Sequence, residues 1–330
     1  MQKVLIFGGS QFIGRNLVEQ LIADGGYDIW LFNRQLSGAD LFPKLSKIKG
    51  DRYTDDVKQI AHQNWDYVID LSAYFPNSVS EILKQLGKVK KYILISSCSA
   101  YKVDDPSQTL KSEEAPLLAC TAEEAISEDL STYGARKAEC ERRLMEANLD
   151  YLILKPALVY GQYDLTDRFY YWLYQTYHKS EFLIPEQGRR KFSSTYVMDL
   201  VQVIILGLKH EKFCGSYNVT TSPQNSIGEI IRLAMLELNK KPDLVNASAS
   251  FLHEREMAQW TDIPLWIEGD HFTFSNEKIK ASRNFKASSL AKSIKETIAY
   301  YAQLNWPVPK YGITDEVHSD LVQSLRSEQA

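Results

Sequence analysis

The sequence predicts an α/β fold in which a doubly wound parallel sheet is joined to a smaller lobe. An apolar run of strand length, residues 4–7, ends in two glycines, and apolar residues at helical spacing follow to about Ala23. Strand-like and helix-like stretches then alternate as far as Pro156, which is typical of a parallel sheet with crossover helices. We therefore expect a Rossmann-like domain over residues 1–160 and a smaller α+β substrate lobe over residues 161–330. The lobe is expected to pack closely on the domain, with the chain free to cross back.

The first half carries most of this alternation. Strand-like runs rich in Ile, Leu, Val and aromatic residues each end at polar residues, glycine or proline. The expected strands after the first cover residues 27–32, 46–49, 67–71, 91–96 and 151–155. Helices are expected at residues 12–23, 55–63, 78–86 and 131–148, the last with Ser131 or Thr132 as its cap. The polar residues 102–130, with Pro106 and Pro116, are expected to form a long surface loop or short helices.

The alternation is less regular in the second half. Strands are expected at residues 190–196 and 216–219. Helices are expected at residues 167–178, 198–209, 226–239 and 290–303, and the last of these has an amphipathic pattern. The tail from Ser319 is polar and is expected to fray.

The glycine turn after the first strand predicts a phosphate site. A helix that starts directly after such a turn offers free backbone N–H groups, and its dipole favours an anion. The alternative is an ordinary strand-to-helix turn that binds nothing. The residues expected to contact a dinucleotide here are Gly8, Ser10, Gln11, Phe12, Ile13 and Gly14.

The end of the second strand indicates which dinucleotide is preferred. Many dinucleotide folds place an acid there to bind a free ribose 2′-hydroxyl, but this chain has Asn33 and Arg34. An arginine suits a 2′-phosphate, so NADP is favoured, NAD remains open, and a surface arginine without a ligand is the alternative. Asp51 is expected either to accept from the adenine amino group or to cap the next helix.

Tyr133 and Lys137 are the candidate catalytic pair. Residues four apart on a helix share a face, and an ammonium beside a phenol lowers the phenol pKa toward neutrality. The phenol could then exchange a proton with a substrate oxygen. Tyr151 and Lys155 have the same spacing in a strand, where the two groups are roughly 13 Å apart, and are interpreted as structural.

Ser97 follows the fifth expected strand, where a parallel sheet delivers residues to its ligand crevice. Its hydroxyl could bond the reacting oxygen, and the alternative is a plain turn serine. Leu71, Ser72, Ala73 and Ser96, at the ends of neighbouring strands, are also expected to contact the cofactor.

These motifs together resemble the extended or atypical short-chain dehydrogenase/reductases, the NAD-dependent epimerase/dehydratase family. Residues 8–14 resemble the family's GxxGxxG turn, although Gln11 replaces the middle glycine, as in a branch that includes the chloroplast stem-loop-binding proteins. Residues 155–161 resemble RPxxVYG and residues 196–200 resemble VxDL. Residues 164–169 and 263–266 are similar to the atypical branch, whose members are mostly assigned reductase or epimerase activity.

The resemblance implies roles for particular residues. Ser97 matches the family's catalytic Ser/Thr, Tyr133 and Lys137 match its Tyr/Lys pair, and Pro156 matches the proline beside the nicotinamide. Two departures concern the substrate. Phe192 stands where 4-epimerases carry an arginine that grips the nucleotide diphosphate, although the nearby Arg189, Arg190 or Lys191 could substitute. Cys98 and Ser99 replace the Asp-Glu pair of the 4,6-dehydratases, which disfavours dehydration.

Composition excludes several classes of protein. The net charge of −4 gives no electrostatic footprint for nucleic acid or an anionic membrane. The four cysteines lack metal-site spacing, so no metal is expected, and reduced thiols indicate a cytoplasmic protein. No apolar run is long enough to span a bilayer, and the chain enters a strand at once, without an expected signal peptide. A homodimer is left open.

The sequence thus predicts an NADP- or NAD-dependent oxidoreductase or epimerase. The expected substrate is a small secondary alcohol or ketone, with a nucleotide sugar as one candidate, and the cofactor carries the hydride. A non-catalytic NADP-sensing or RNA-associated protein on the same fold is the alternative.

Overall fold

The computed structural model describes residues 1–102, 109–268, 272–283 and 285–329. Its centre is a parallel seven-stranded sheet in the order β10-β6-β5-β4-β1-β2-β3. The strands of this sheet are β1 (Gln2–Phe7), β2 (Tyr27–Asn33), β3 (Ser46–Lys49), β4 (Tyr67–Asp70), β5 (Lys91–Ile95), β6 (Tyr151–Pro156) and β10 (Gly215–Val219). The order reverses beside β1, where the strands leave a crevice at their carboxyl ends. This arrangement confirms the predicted fold class.

Helices cover both faces of the sheet because each crossover between parallel strands must return over one face. On one face α1 (Phe12–Asp24) packs beside α5 (Val197–Lys209). On the other face α2 (Pro76–Gln85) packs beside α3 (Tyr133–Met145). The apolar side chains that each helix turns inward are fully buried, Leu17 and Ile204 on the first face and Ile82 and Leu144 on the second.

The second half forms a lobe with two small sheets and the remaining helices. One sheet has the order β11-β9-β7 and the other pairs β12 with β8. The strands are β7 (Leu158–Tyr160), β8 (Glu181–Pro185), β9 (Phe192–Tyr196), β11 (Ser222–Asn225) and β12 (Asp243–Ala247). The helices are α4 (Arg168–His178), α6 (Ile227–Leu238), α7 (Ala249–Glu254), α8 (Glu277–Arg283), α9 (Leu290–Gln303) and α10 (Asp315–Gln329). Aromatic residues of α4, among them Phe169 and Trp172, lie in the core of this lobe.

The chain crosses between the two halves. β10 lies beyond residue 160 but forms the edge of the central sheet next to β6, and α5 covers that sheet. Within the described part of the chain, no helix is both long and apolar enough to cross a membrane.

Most predicted elements occur within a few residues of their expected bounds, and the differences have local causes. The helix expected at residues 55–63 is a 3₁₀-helix, Asp55–His62. The helix expected from Ser131 begins at Tyr133, because the preceding residues form a separate 3₁₀ turn capped by Asp129. Thr132 donates its hydroxyl to the Asp129 carbonyl oxygen at 2.8 Å and is therefore not a side-chain cap.

The expectation that the tail frays from Ser319 was wrong, because these residues belong to α10. Leu321, Val322 and Leu325 share one face of this helix and are buried in the lobe core, next to β8 and β12. Those two short strands were not predicted. Residues 103–108 of the predicted polar loop lie outside the described residues; the described part of that segment contains two 3₁₀ turns, Glu124–Ile126 and Leu130–Thr132.

Candidate active site

The glycine turn joins β1 to α1 and permits a close approach of backbone atoms. Gly8 and Gly9 have φ values of +106° and +95°, a region that favours glycine. A Cβ on Gly14 would lie 2.6 Å from the Gly9 nitrogen, so only glycine lets the first turn of α1 pack on the loop. Gln11 has ordinary extended backbone, φ −132°, and therefore replaces the family's middle glycine without strain.

A cleft of about 450 Å³ opens at this turn. The first N–H groups of α1 have no intrahelical acceptor, so the turn can hold a phosphate. The residues of the cleft that were predicted to contact the cofactor are Gly8, Ser10, Gln11, Phe12, Ile13, Gly14, Asn33, Arg34, Asp51, Leu71 and Ser72. Tyr53, Tyr74, Leu165 and Thr166 also line it and were not predicted. The glycine cradle and the lining chemistry fit a dinucleotide.

The two polar residues at the end of β2, Asn33 and Arg34, differ in exposure and in hydrogen bonding. The Arg34 guanidinium is 61% exposed, and its Nη1 lies 3.9 Å from the Asp51 carboxylate. The Asn33 amide oxygen accepts from the Gln35 N–H at 3.1 Å and its nitrogen donates weakly to the Gly8 carbonyl at 3.4 Å. Asn33 thus shapes the turn, while Arg34 is exposed where a ligand could reach it.

Ser97 and Tyr133 come together because α3 starts directly against the turn that follows β5. Ser97 caps that turn by accepting from the Ser99 N–H at 3.1 Å. A Cβ on Gly134 would lie 2.2 Å from the Ser99 carbonyl oxygen, so glycine is required for this approach. The Tyr133 phenol and the Ser97 hydroxyl lie close enough for Ser97 to oppose the rise in the pKa of Tyr133.

Lys137 lies one turn further along α3 and is buried. Its ammonium donates to the carbonyl oxygens of Ala73 at 3.0 Å and Ile95 at 2.6 Å, which follow or end β4 and β5. Burial lowers the pKa of Lys137 below its ordinary value. The ammonium thereby ties α3 to two strand ends, and one of its three N–H donors is left for another acceptor.

The pKa of Tyr133 is raised, whereas the sequence predicted that Lys137 would lower it. Burial is the main cause of the rise, and the hydrogen bond with Ser97 opposes it. The positive charge that acts in the lowering direction is Arg136. Lys137 acts on Tyr74, where burial raises the pKa and the ammonium opposes that rise. Its two carbonyl acceptors hold the ammonium at the strand ends, so spacing on the helix was not sufficient to pair it with Tyr133.

The remaining predicted residues do not line the cleft. Ser96 donates its hydroxyl to Glu141 at 2.5 Å, and Lys155 donates to the same carboxylate at 3.0 Å. Pro156 ends β6, where it is buried. The lining of the 450 Å³ cleft does not include six of the predicted residues, Ser97, Tyr133, Lys137, Pro156, Ala73 and Ser96. The cleft extends toward these residues as far as Tyr74. Among the described residues, no cluster of three or more His, Cys, Asp or Glu side chains is placed to hold a metal.

Tyr74 was missed by the sequence reasoning. Its ring centre lies 6.4 Å from that of Tyr133 and 5.5 Å from the Lys137 ammonium. It follows the buried end of β4, so it stands between the cleft and the Ser97–Tyr133 pair. A tyrosine four residues after a strand-end acid carries no recognisable pattern, and only the contact of α3 with the segment after β4 brings it here.

A buried ion pair under the cleft was also missed. Arg52 donates to both oxygens of Asp70, at 2.5 and 2.8 Å, and the Tyr92 hydroxyl donates to the same carboxylate at 2.8 Å. Burial alone would raise the pKa of Asp70, but the charge and hydrogen bonds of Arg52 outweigh it and lower the pKa. The pair fixes the strand ends of β3 and β4 relative to each other beneath the ligand cleft.

Comparisons with known proteins agree with this geometry. A profile of the NAD dependent epimerase/dehydratase family matches residues 4–220. A chloroplast stem-loop binding protein of 41 kDa from Arabidopsis thaliana is 26% identical over 64% of this chain and 56% of its own length. A UDP-glucose 4-epimerase from Neisseria meningitidis is 26% identical over 44% of this chain and 48% of its own length. The chain thus spans about half the length of these curated relatives.

Solved structures show the same fold at low identity. A UDP-glucuronic acid 4-epimerase from Bacillus cereus in complex with NAD has a TM-score of 0.69 at 18% identity, covering 93% of this chain and 100% of that chain. A UDP-glucose 4-epimerase from Thermotoga maritima with UDP-glucose also has a TM-score of 0.69, at 19% identity, covering 92% of this chain and 100% of that chain. With the matched profile covering more than half of its residues, the chain belongs to the NAD-dependent epimerase/dehydratase family.

Proposed function

We propose that this chain is a nicotinamide-dependent oxidoreductase or epimerase that acts at a secondary alcohol or ketone. The observation that carries the proposal is the meeting of Ser97, Tyr133 and Lys137 at the strand ends beside a cleft that fits a dinucleotide. Membership of the family supports a nicotinamide cofactor. When bound, the cofactor supplies the hydride exchange.

Each of the three side chains is suited to one role. The Tyr133 phenol exchanges a proton with the substrate oxygen, and Ser97, which lies next to that phenol, orients the same oxygen. The third N–H donor of Lys137 is available to a ribose hydroxyl, since two carbonyl oxygens take the other two. Because burial raises the pKa of Tyr133, the phenol holds its proton at neutral pH, which suits proton donation to a carbonyl.

For the cofactor, we propose NADP rather than NAD. The support is Arg34, an exposed guanidinium on the cleft wall at the place where an acid would select a free 2′-hydroxyl. Asp51 lies 3.9 Å from it and would have to yield the guanidinium to a 2′-phosphate. Two of the similar solved structures contain NAD, but they are structures of other proteins, and the NADP proposal for this chain rests on Arg34.

A nucleotide sugar is the proposed substrate class. Similar structures with 100% of their length covered include a UDP-glucose complex. Dehydration is disfavoured, because Cys98 is buried with its thiol donating to the Lys155 carbonyl oxygen, and Ser99 offers no carboxylate. Acid and base groups for removing water are therefore missing from this turn.

The experiment is a comparison of Tyr133→Phe with Tyr151→Phe, the tyrosine of the matched pair in β6. Wild-type protein is loaded with NADPH or NADP and screened against carbonyl compounds by absorbance and against UDP-sugars by chromatography of the products, because an epimerisation leaves no net change in the cofactor. We expect Tyr133→Phe to keep cofactor affinity and lose roughly 10²–10⁴-fold in turnover, because it removes the proton carrier. Tyr151→Phe should retain both.

Turnover by Tyr133→Phe at the wild-type rate would contradict the catalytic assignment. Wild-type protein that binds the cofactor but turns over none of the compounds would favour the non-catalytic, cofactor-sensing alternative. Wild-type protein that binds neither NADPH nor NADH would contradict the whole proposal.

A further inference from the structure

Arg168, the first residue of α4, carries a charge that neither the cleft nor the Tyr133 cluster uses. Its Nε is buried and has no hydrogen-bond acceptor within the described part of the chain. Buried polar groups in folded proteins are paired in the great majority of cases, so an orphaned guanidinium nitrogen needs an explanation. A ligand that supplies the missing acceptor would satisfy this nitrogen.

The acids nearest in sequence are committed elsewhere. One oxygen of Asp164 accepts from the Thr166 N–H at 2.9 Å and from the Thr166 hydroxyl at 3.0 Å. Asp167 accepts from the Tyr301 hydroxyl at 3.1 Å and the Lys310 N–H at 3.3 Å. Burial raises the pKa of Asp164 to about 6, although the Arg168 charge acts in the lowering direction. Neither acid forms a direct ion pair with the guanidinium among the described residues.

Two aromatic rings of the second lobe flank Arg168 instead. The guanidinium carbon lies 5.0 Å from the ring centre of Tyr311 and 5.9 Å from that of Trp260. Such cation–π contacts hold the guanidinium plane in place but leave its in-plane N–H donors unbonded. The rings also displace water from the charge, which strengthens its attraction for an anion.

The position of Arg168 is fixed from both sides. Phe169 stacks on Tyr160 of β7 with ring centres 3.8 Å apart and planes at 6°. Trp172 donates its indole N–H to the Pro264 carbonyl oxygen at 2.8 Å. Thr166, two residues before Arg168, lines the nucleotide cleft. The start of α4 is thus held at the junction of the cleft wall and the second lobe.

The arginines that the sequence suggested for a substrate diphosphate are placed less well. Arg190 forms an ion pair with Glu186 at 2.9 Å, and that carboxylate also accepts from the Trp266 indole at 3.1 Å. Phe192, at the family's arginine position, is fully buried in β9. Arg189 is exposed on the surface.

We propose that Arg168 is the anion subsite of the substrate lobe and binds a phosphate or carboxylate group of the substrate, with Trp260 and Tyr311 holding its guanidinium plane. A planar guanidinium donates two parallel N–H bonds to either oxyanion, which explains a free arginine at this position. The inference rests on the proposed function in one respect, that a small substrate enters between the cleft and the second lobe.

The test titrates the full chain with pyrophosphate, UDP, uridine, glucuronate and glucose, by calorimetry. Every titration is run with saturating NADPH, because pyrophosphate could otherwise occupy the glycine turn. A phosphate source predicts that UDP binds and uridine does not, and a carboxylate source predicts that glucuronate binds and glucose does not. In Arg168→Gln, the dissociation constant of the binding anion should rise about tenfold to a hundredfold.

Two variants sharpen the comparison. Arg168→Lys keeps the positive charge but cannot donate two parallel N–H bonds, so it should bind the anion more weakly than wild type. This variant replaces Arg168→Gln in the comparison if Arg168→Gln does not fold. Arg189→Gln removes an exposed arginine of the same lobe and should change nothing. NADPH affinity should be equal in all variants, which separates this subsite from the cofactor site.

Wild-type affinity in Arg168→Gln and Arg168→Lys, or an equal loss in Arg189→Gln, would overturn the proposal. The same holds if wild-type protein binds none of the anions in the presence of NADPH. Failure of the proposed function looks different, since it would appear as lost cofactor binding or as unchanged turnover in Tyr133→Phe.

Discussion

Replacing Gly134 by alanine tests whether the approach of α3 to the turn after β5 builds the Ser97–Tyr133 pair. The added Cβ would lie 2.2 Å from the Ser99 carbonyl oxygen and 2.9 Å from a methyl carbon of Leu118. Real Cβ atoms essentially never come closer than 3.0 Å to another heavy atom, and the obstacle here is backbone. The start of α3 must therefore move by about 0.8 Å or more relative to that turn.

Two effects of opposite sign act on stability. Alanine favours an α-helix over glycine by about 1 kcal/mol, which alone would stabilise the variant. Overpacking a buried contact typically costs about 1–3 kcal/mol. Since the obstacle is a carbonyl oxygen that cannot rotate away, we expect the free energy of unfolding to fall by about 1 kcal/mol instead of rising.

The effect on catalysis should be larger than the effect on stability. A displacement near 1 Å of a reacting group can cost on the order of 10²-fold in rate, so turnover should fall by about that factor. NADPH affinity should change little, because the residues that line the cleft belong to segments other than α3. The assay is steady-state turnover with the substrate found in the screen, together with urea unfolding.

Gly87→Ala is the matched control, since a Cβ there meets no atom within 4 Å and its φ is ordinary. It should leave turnover unchanged. A Gly134→Ala variant that is more stable than wild type and turns over at the wild-type rate would refute the reasoning. It would show that α3 can retreat without disturbing Tyr133.

Three further predictions concern the cofactor, the buried ion pair and the C-terminal helix. In direct binding measurements, Arg34→Ala should reduce the difference in binding free energy between NADPH and NADH by about 1.5–3 kcal/mol. Equal affinity of the wild-type protein for the two cofactors would contradict the NADP proposal. Asp70→Ala should lower the free energy of unfolding by about 3–5 kcal/mol, because it leaves the Arg52 charge buried without its partner. The double variant Asp70→Leu with Arg52→Met removes both charges and should lower that free energy much less. Equal losses for the two variants in denaturant unfolding would refute this. His318 is buried and accepts a hydrogen bond from the Leu183 N–H at 3.3 Å. Burial lowers the pKa of His318, so folding favours its neutral form. This contribution to stability is present above the ordinary pKa near 6.5 and is lost as the pH falls below it. Melting temperatures from pH 8 to 5 should therefore fall more steeply for wild type than for His318→Gln, and parallel curves would exclude this role.

Local patterns in the sequence determined most of the central sheet. The apolar run of β1, the glycine turn and the helical spacing of α1 lie within one continuous stretch, so periodicity and glycine content were sufficient to predict them. β3 and α9 occur at their predicted bounds for the same reason. The placement of β10 in the central sheet could not be predicted, because pairing with β6 depends on a partner more than 60 residues away.

By itself, then, the sequence determined the fold class and the glycine turn, and it predicted Ser97, Tyr133 and Lys137 as the catalytic set. The tertiary structure decided what surrounds them: the carbonyl acceptors of Lys137, the approach of Tyr74 to Tyr133, and a buried Arg168 Nε that has no acceptor among the described residues. Helix and strand patterns follow from neighbouring residues, and for that reason they can be read along the chain. The pKa of a phenol or the pairing of a charge depends on burial and on groups brought from distant segments, and only the packed chain determines those.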